Sequence, residues 1–247
     1  MDYGVCHLGL IPLRKEYDHK SEMVSQLLYG DCYKIIDRRK KWFKIRMEWD
    51  GYEGWISQTQ IHQVSEEIYN EITSTDTIIS SDMMNYISNQ DNLIFPILIG
   101  SDLRALKKLN HDFEGETHSP KPNKKKLSKT AFMYLNSPYL WGGRTPLGID
   151  CSGFTQIVYK INGMKLSRDA HQQAKQGQTL SFIEESEAGD LAFFDDPEGK
   201  IVHVGLLLED YYIIHAFGTV RIDRIDQSGI YNGETHTHNL RMIKKLI

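Results

Sequence analysis

The sequence predicts an α+β chain, in which a small all-β region precedes a domain with two helices followed by an antiparallel sheet. Three observations carry this reading. Short runs rich in aromatic and β-branched residues, "CYKIID", "WFKIRMEW" and "YEGWIS", crowd the first 65 residues. Apolar residues then recur at helical spacing between positions 127 and 161. Beyond them "GDLAFF", "IVHVGLLLE" and "YYIIHAFG" read as strands, the helix-then-sheet order of an α+β domain.

The N-terminal runs are separated by "DRRKK" and by "DGY", the latter an Asp-Gly hairpin signal. Short strands at this spacing suggest a small barrel over residues 1–65. Residues 66–123 contain the strand-like "TIIS", "MMNYIS" and "NLIFPILIG", with Pro96 restricting its run to an edge or a bulge. They form either a degenerate second barrel or a packed connector, ending in the polar linker "ETHSPKPNKKK".

The third region, 124–247, opens with a helix marked by Leu127, Ala131, Tyr134 and Leu135, with Asn123 as its N-cap and Pro138 beyond its end. A second helix carries Phe154, Ile157, Val158 and Ile161 on one face and stops at Asn162-Gly163. Between the two lies "YLWGGRTPLGIDCSGF", a glycine-rich loop leading into Cys151.

A net charge of −4 argues against a nucleic-acid partner, and the Lys124–Lys126 cluster reads as a solvated helix start. No apolar run approaches the roughly 20 residues of a membrane span, and no secretory signal opens the sequence. The cysteines Cys6, Cys32 and Cys151 are odd in number and lack metal-site spacing. Cys6 and Cys32 are expected to be buried thiols. A reduced, cytoplasmic protein is the expectation.

Cys151 falls in the first turn of its helix, where unpaired N–H groups and the helix dipole favour an anion. A thiolate there is expected to have a lowered pKa, with Asp150 capping the helix. A nucleophilic thiol needs a base, and the base needs an orienting group. Two histidines lie inside consecutive strands, His203 and His215. They face each other directly if the intervening loop is centred on Glu209. A two-residue turn at Glu209-Asp210 would send them to opposite faces. His236 and His238, without an acidic or cysteine neighbour, read as surface residues.

Taken together, "YLWGGRTPLGIDCSGF", "SRDAHQQA", "AGDLAFF", "HVGLLL" and "IIHAFG" resemble the NlpC-type cell-wall peptidases, papain-like cysteine peptidases. The resemblance spans about residues 125–220. It implies Cys151 as nucleophile, His203 as general base and His215 as orienting residue, with no metal or other cofactor. The "LLYGD" start and "DGYEGWIS" ending of the first region resemble a bacterial SH3 domain. The fold expected is therefore a papain-like NlpC-type catalytic domain preceded by one or two SH3-like β-barrels.

An SH3 domain in that position resembles the γ-D-glutamyl-L-diamino acid endopeptidases, which cut murein tripeptides or tetrapeptides carrying a free N-terminal L-Ala. The resemblance implies Glu22 and Tyr52 as substrate-ammonium ligands from the SH3 domain. It also implies Trp141, Asp150, Ser152 and Asp169 as substrate-binding residues of the catalytic domain. Ala170 departs from relatives with a hydroxyl residue at that place. Asp169 beside Arg168 is alternatively a structural ion pair. Two other functions compete: a catalytically silent wall-peptide-binding module, and an exported lytic wall hydrolase. The intact Cys-His-His set argues against the first. Peptide recycling is expected over lysis, with meso-diaminopimelate expected at the cleaved position and lysine as the alternative.

Overall fold

The computed structural model describes residues 2–247, which form two compact units divided between Pro120 and Lys121. In the first unit, β1 (Asp2–Val5), β2 (Leu10–Arg14), β3 (Met23–Leu28), β4 (Cys32–Arg39), β5 (Trp42–Met47), β6 (Glu53–Ser57) and β7 (Gln63–Val64) make one antiparallel sheet. Its order is β3-β2-β6-β5-β4-β1-β7. The Asp-Gly hairpin forms as expected. Gly51 takes φ +74° and donates to Met47 O at 3.0 Å. Alternate residues Ile11, Leu13, Leu27, Tyr33, Ile35, Ile45 and Ile56 bury into one core with Cys6.

Residues 66–120 continue this unit. Helix α1 (Glu66–Ser74), capped by Ser65, sends Tyr69 and Ile72 into a cluster with Tyr3, Val5 and Cys32. Strands β8 (Ile79–Ser80), β9 (Met84–Asn89) and β10 (Ile94–Leu98) follow, then a short α2 (Leu106–Leu109), β11 (His111–Phe113) and β12 (Thr117–His118). Pro96 lies on β10, an edge of the sheet β10-β9-β11. Tyr29, from the end of β3, shares an apolar cluster with Ile87, Ile97 and Leu103. The first 65 residues and the next 55 thus bury apolar surface against each other.

The second unit opens with a 3₁₀ turn at Lys124–Lys126 leading into α3 (Leu127–Phe132). Leu127, Ala131 and Tyr134 are buried as expected, whereas Leu135 is exposed. The helix ends before it, so position 135 leaves the apolar face. A β-hairpin, β13 (Arg144–Thr145) and β14 (Gly148–Ile149), leads into α4 (Cys151–Ile161), all eleven residues of which are buried. Helix α5 (Ala170–Gln173) and strands β15 (Gln178–Leu180), β16 (Leu191–Asp195), β17 (Ile201–Leu207), β18 (Tyr212–Phe217), β19 (Thr219–Ile225), β20 (Gly229–Tyr231) and β21 (His236–Lys245) complete it. The order is β15-β21-β16-β17-β18-β19-β20, and β21 also pairs with β20. Strands β16 to β21 therefore close on themselves, around Ala192, Phe194, Leu207, Ile213, Ile225, Ile230 and Ile243. Helix α4 packs on β17 and β18.

Candidate active site

Cys151 is the first residue of α4. Asp150 adopts the extended N-cap conformation and accepts the Gly153 N–H at 2.6 Å. A tight loop delivers the chain to this point. A Cβ on Gly153 would lie 2.2 Å from Gly143 O, so only glycine lets the loop backbone approach the helix start this closely. Tyr139 N–H donates to Gly218 O at 2.9 Å, tying the other end of the loop to the β18–β19 turn.

His203 and His215 come from the neighbouring strands β17 and β18. Leu206 pairs with Ile214 and Leu207 with Ile213, so the loop is centred on Asp210. Asp210 and Tyr211 turn it with positive φ. The register expected from a loop centred on Glu209 is therefore off by two residues. Parity survives, so the two histidines share a face, but they meet diagonally. His203 Nε2 and His215 Nδ1 lie 2.8 Å apart. By the same register Gly205 stands opposite His215. A Cβ there would come within 2.9 Å of the His215 Cβ and 2.6 Å of Ile213.

Two further groups complete the arrangement. Asp223 on β19 accepts from His215 Nε2 at 2.9 Å, and Arg221 Nη2 donates to its other oxygen at 2.8 Å. His238 on β21 stacks on the His203 ring, with centroids 4.3 Å apart and planes 26° apart. It is half-buried, in place of the surface position expected for it. His236 is exposed and pairs with Asp226.

Electrostatics set the resting state. Burial pushes the Cys151 thiol up to about 12, and the nearby Asp150 carboxylate adds to this. The Val204 N–H, Arg168 and the Ser152 N–H act in the opposite direction without overcoming it. The thiolate with a lowered pKa expected at a helix start is therefore not the resting form: burial prevails over the groups that favour the anion. Helix α4, which Cys151 opens, packs on β17, the strand that carries His203. Burial, then His215 and His238, hold His203 well below the ordinary histidine value, so it rests as a neutral base. Burial opposes the Asp223 carboxylate, yet the hydrogen bonds from His215 and Arg221 prevail and keep its pKa low. Partial burial, then Cys151 and Asp150, hold the Tyr139 phenol above its usual range, so it stays protonated.

The expected substrate-binding residues divide. Asp150 is 5% exposed and both its oxygens are engaged. Arg168 donates to Oδ1 at 3.0 Å and to Oδ2 at 2.6 Å, and the Gly142 N–H donates to Oδ2 at 2.8 Å. Its carboxylate is thus neutralised by a guanidinium and is no open ammonium ligand. Ser152 Oγ is buried and accepts from the same Arg168 at 3.0 Å. Arg168 pairs with Asp150, whereas Asp169, half-buried, opens α5 in a capping box with Gln172. Trp141 is 58% exposed on the loop. In the N-terminal unit Glu22 is exposed and bonded to Lys15 at 3.0 Å, and Tyr52 packs at the edge of the barrel core.

The stacked histidine carries a testable consequence. Burial and His215 lower the His238 pKa to about 4. Between that value and the unfolded value near 6.5, the unfolded chain binds more protons than the folded one. Stability is therefore full above about 6.5 and falls as the pH drops toward 4. His203 adds to the loss in the same direction. His238→Phe, which keeps the stack without the titration, is expected to flatten the melting-temperature profile between pH 7 and 4.5. An unchanged slope would remove His238 from this account.

Comparison with known proteins follows the same division of the chain. Residues 136–240 match the NlpC/P60 family, and residues 13–61 match the bacterial dipeptidyl-peptidase Sh3 domain. The gamma-D-glutamyl-L-lysine dipeptidyl-peptidase of Bacillus subtilis is 30% identical over 78% of this chain and 71% of its own. The Bacillus cereus protein of the same name is 26% identical over 79% of this chain and 68% of its own. A crystal structure of an NlpC/P60 family protein from Bacillus cereus shares the fold over 99% of both chains, with a TM-score of 0.79 and 18% identity. The chain belongs to the NlpC/P60 family, with an N-terminal bacterial SH3 domain.

Proposed function

We propose that the protein is a cysteine peptidase that hydrolyses the amide between γ-D-Glu and a diamino acid in short murein peptides with a free N-terminal L-Ala. The observation that carries the chemistry is the hydrogen-bonded pair His203–His215 on the two strands against which the helix opened by the buried Cys151 packs. In the proposed reaction Cys151 Sγ attacks the γ-carbonyl carbon while its proton passes to His203. The carbonyl oxygen becomes an oxyanion facing main-chain N–H groups of the α4 start and the Tyr139 hydroxyl. On collapse, the His203 imidazolium gives its proton to the departing amine of the diamino acid, leaving a thioester. Neutral His203 then takes a proton from water, whose hydroxide attacks the thioester. The acid product leaves and the thiol regains its proton.

The substrate assignment is supported by the names of the two Bacillus relatives, which specify lysine as the diamino acid and the release of dipeptides. Release of dipeptides requires recognition of a free amine, and an ammonium bound in a closed site needs a carboxylate partner. With Asp150 committed to Arg168, Asp169 is the carboxylate of the catalytic domain proposed for that task. We extend the reading to recycling of released peptides in place of lysis of the wall.

The test is mass spectrometry of L-Ala-γ-D-Glu-L-Lys and its diaminopimelate counterpart, each with and without N-acetylation. Both free peptides should yield L-Ala-D-Glu, the ratio of rates naming the preferred diamino acid. Truncating one partner of a desolvated charge pair costs about 2–5 kcal/mol. At about 1.4 kcal/mol per tenfold, acetylation should slow turnover roughly 30-fold to a few thousand-fold. Cross-linked murein should be left uncut. Equal rates on acetylated and free peptides would rule out amine recognition.

A further inference from the structure

We infer that Asp223 is a positioning residue of the active site: it fixes the tautomer of His215, and through it makes Nδ1 of His203 the atom that takes the thiol proton. The inference starts from the chain of contacts His203 Nε2–His215 Nδ1 at 2.8 Å and His215 Nε2–Asp223 Oδ2 at 2.9 Å. A neutral imidazole has one donor and one acceptor nitrogen, and which is which follows from its partners. The carboxylate can only accept, so His215 Nε2 carries the hydrogen. His215 Nδ1 is then the lone-pair nitrogen and must accept from His203 Nε2–H. That leaves His203 Nδ1 bare. With the opposite tautomers, His203 would hold its hydrogen on Nδ1 and could not accept the thiol proton there.

The surroundings hold this arrangement in one state. His215 is fully buried and Asp223 is 8% exposed, so the hydrogen bond is shielded from solvent. Arg221 anchors both carboxylate oxygens, with Nε 2.7 Å from Oδ2 and Nη2 2.8 Å from Oδ1. His238 covers the His203 ring without a hydrogen bond to it, contacting Thr237 Oγ1 through Nδ1 at 2.9 Å. No proton needs to reach Asp223 during turnover. When His203 becomes an imidazolium, its Nε2–H still points at His215 Nδ1, and the carboxylate stabilises the cation through the intervening ring.

The experiment has a spectroscopic and a kinetic arm, both on the full chain. Only the kinetic arm rests on the peptidase reading above, so failure of the two can be told apart. Long-range ¹H–¹⁵N correlation spectra of histidine-labelled protein should show His203 and His215 both as Nε2–H tautomers. In Asp223→Ala the Nδ1–H form of His215 should appear. With L-Ala-γ-D-Glu-L-Lys, Asp223→Ala should lower kcat about 10- to 100-fold with KM unchanged. That is less than the roughly 10⁴-fold lost when an aspartate directly on a catalytic histidine is neutralised. His215→Gln supplies the decisive background. Its amide oxygen accepts from His203 without any tautomer to set, so adding Asp223→Ala should cost less than about twofold more. Wild-type His215 found as Nδ1–H would overturn the inference, as would an equal loss from Asp223→Ala in both backgrounds. Should Asp223→Ala fail to fold, the wild-type spectrum alone decides.

Discussion

Cys151→Ala is expected to abolish peptide turnover, lowering kcat by about six orders of magnitude, as loss of a nucleophile does elsewhere. The fold should survive. The side chain is 6% exposed and loses one sulfur atom, while the Asp150 cap and its bond to Gly153 do not involve it. The measurement is single-turnover mass spectrometry with the γ-D-Glu-L-Lys peptide, alongside a thermal melt of each protein. Residual turnover within a hundredfold of wild type would show that another group performs the attack.

How far the sequence foretold this site varies from residue to residue, for physical reasons. The helix-start place of Cys151 and the shared face of His203 and His215 were legible because helix and strand periodicities fix them, and the faces survive an error of two residues in register. The register itself was not legible. It depends on a turn in which Asp210 and Tyr211 adopt positive φ, a conformation neither residue announces as glycine would. Asp223 was missed because "VRIDRI" reads as a charged, half-exposed strand. The available signal was Gly218: a hairpin centred there pairs His215 with Arg221 and puts Asp223 on the same face. His238 had no such signal. It reaches His203 only because β21 pairs with both β16 and β20, a closure across more than thirty residues of chain. The lowered thiol pKa failed for a related reason, since helix position is local whereas burial is a property of the whole domain.

Arg168 marks the limit of such reading most clearly, and its replacement carries the largest expected effect on stability. "SRDA" offers one acidic neighbour in sequence, Asp169 beside the arginine, while Asp150 lies eighteen residues earlier. The chain uses the distant one. The Arg168 and Asp150 side chains are 1% and 7% exposed, with Nη2 and Oδ2 2.6 Å apart. Arg168→Met keeps much of the volume but leaves a buried carboxylate without its counter-charge, a change that costs about 3–5 kcal/mol. That is a large share of the roughly 5–15 kcal/mol that holds a typical domain folded. The loss should be concentrated at α4, since Asp150 caps that helix and Arg168 also holds Ser152. Hydrogen exchange of the α4 amides in the full chain would report it directly, and turnover should fall with it because the nucleophile opens the same helix. Asp150→Asn removes the unmatched charge while retaining a good capping side chain. The double variant Arg168→Met/Asp150→Asn should therefore be more stable than Arg168→Met alone, a coupling that two independent losses would not produce. If the double variant proved less stable than the single one, Arg168 would owe its place to packing and hydrogen bonding, not to the charge of Asp150.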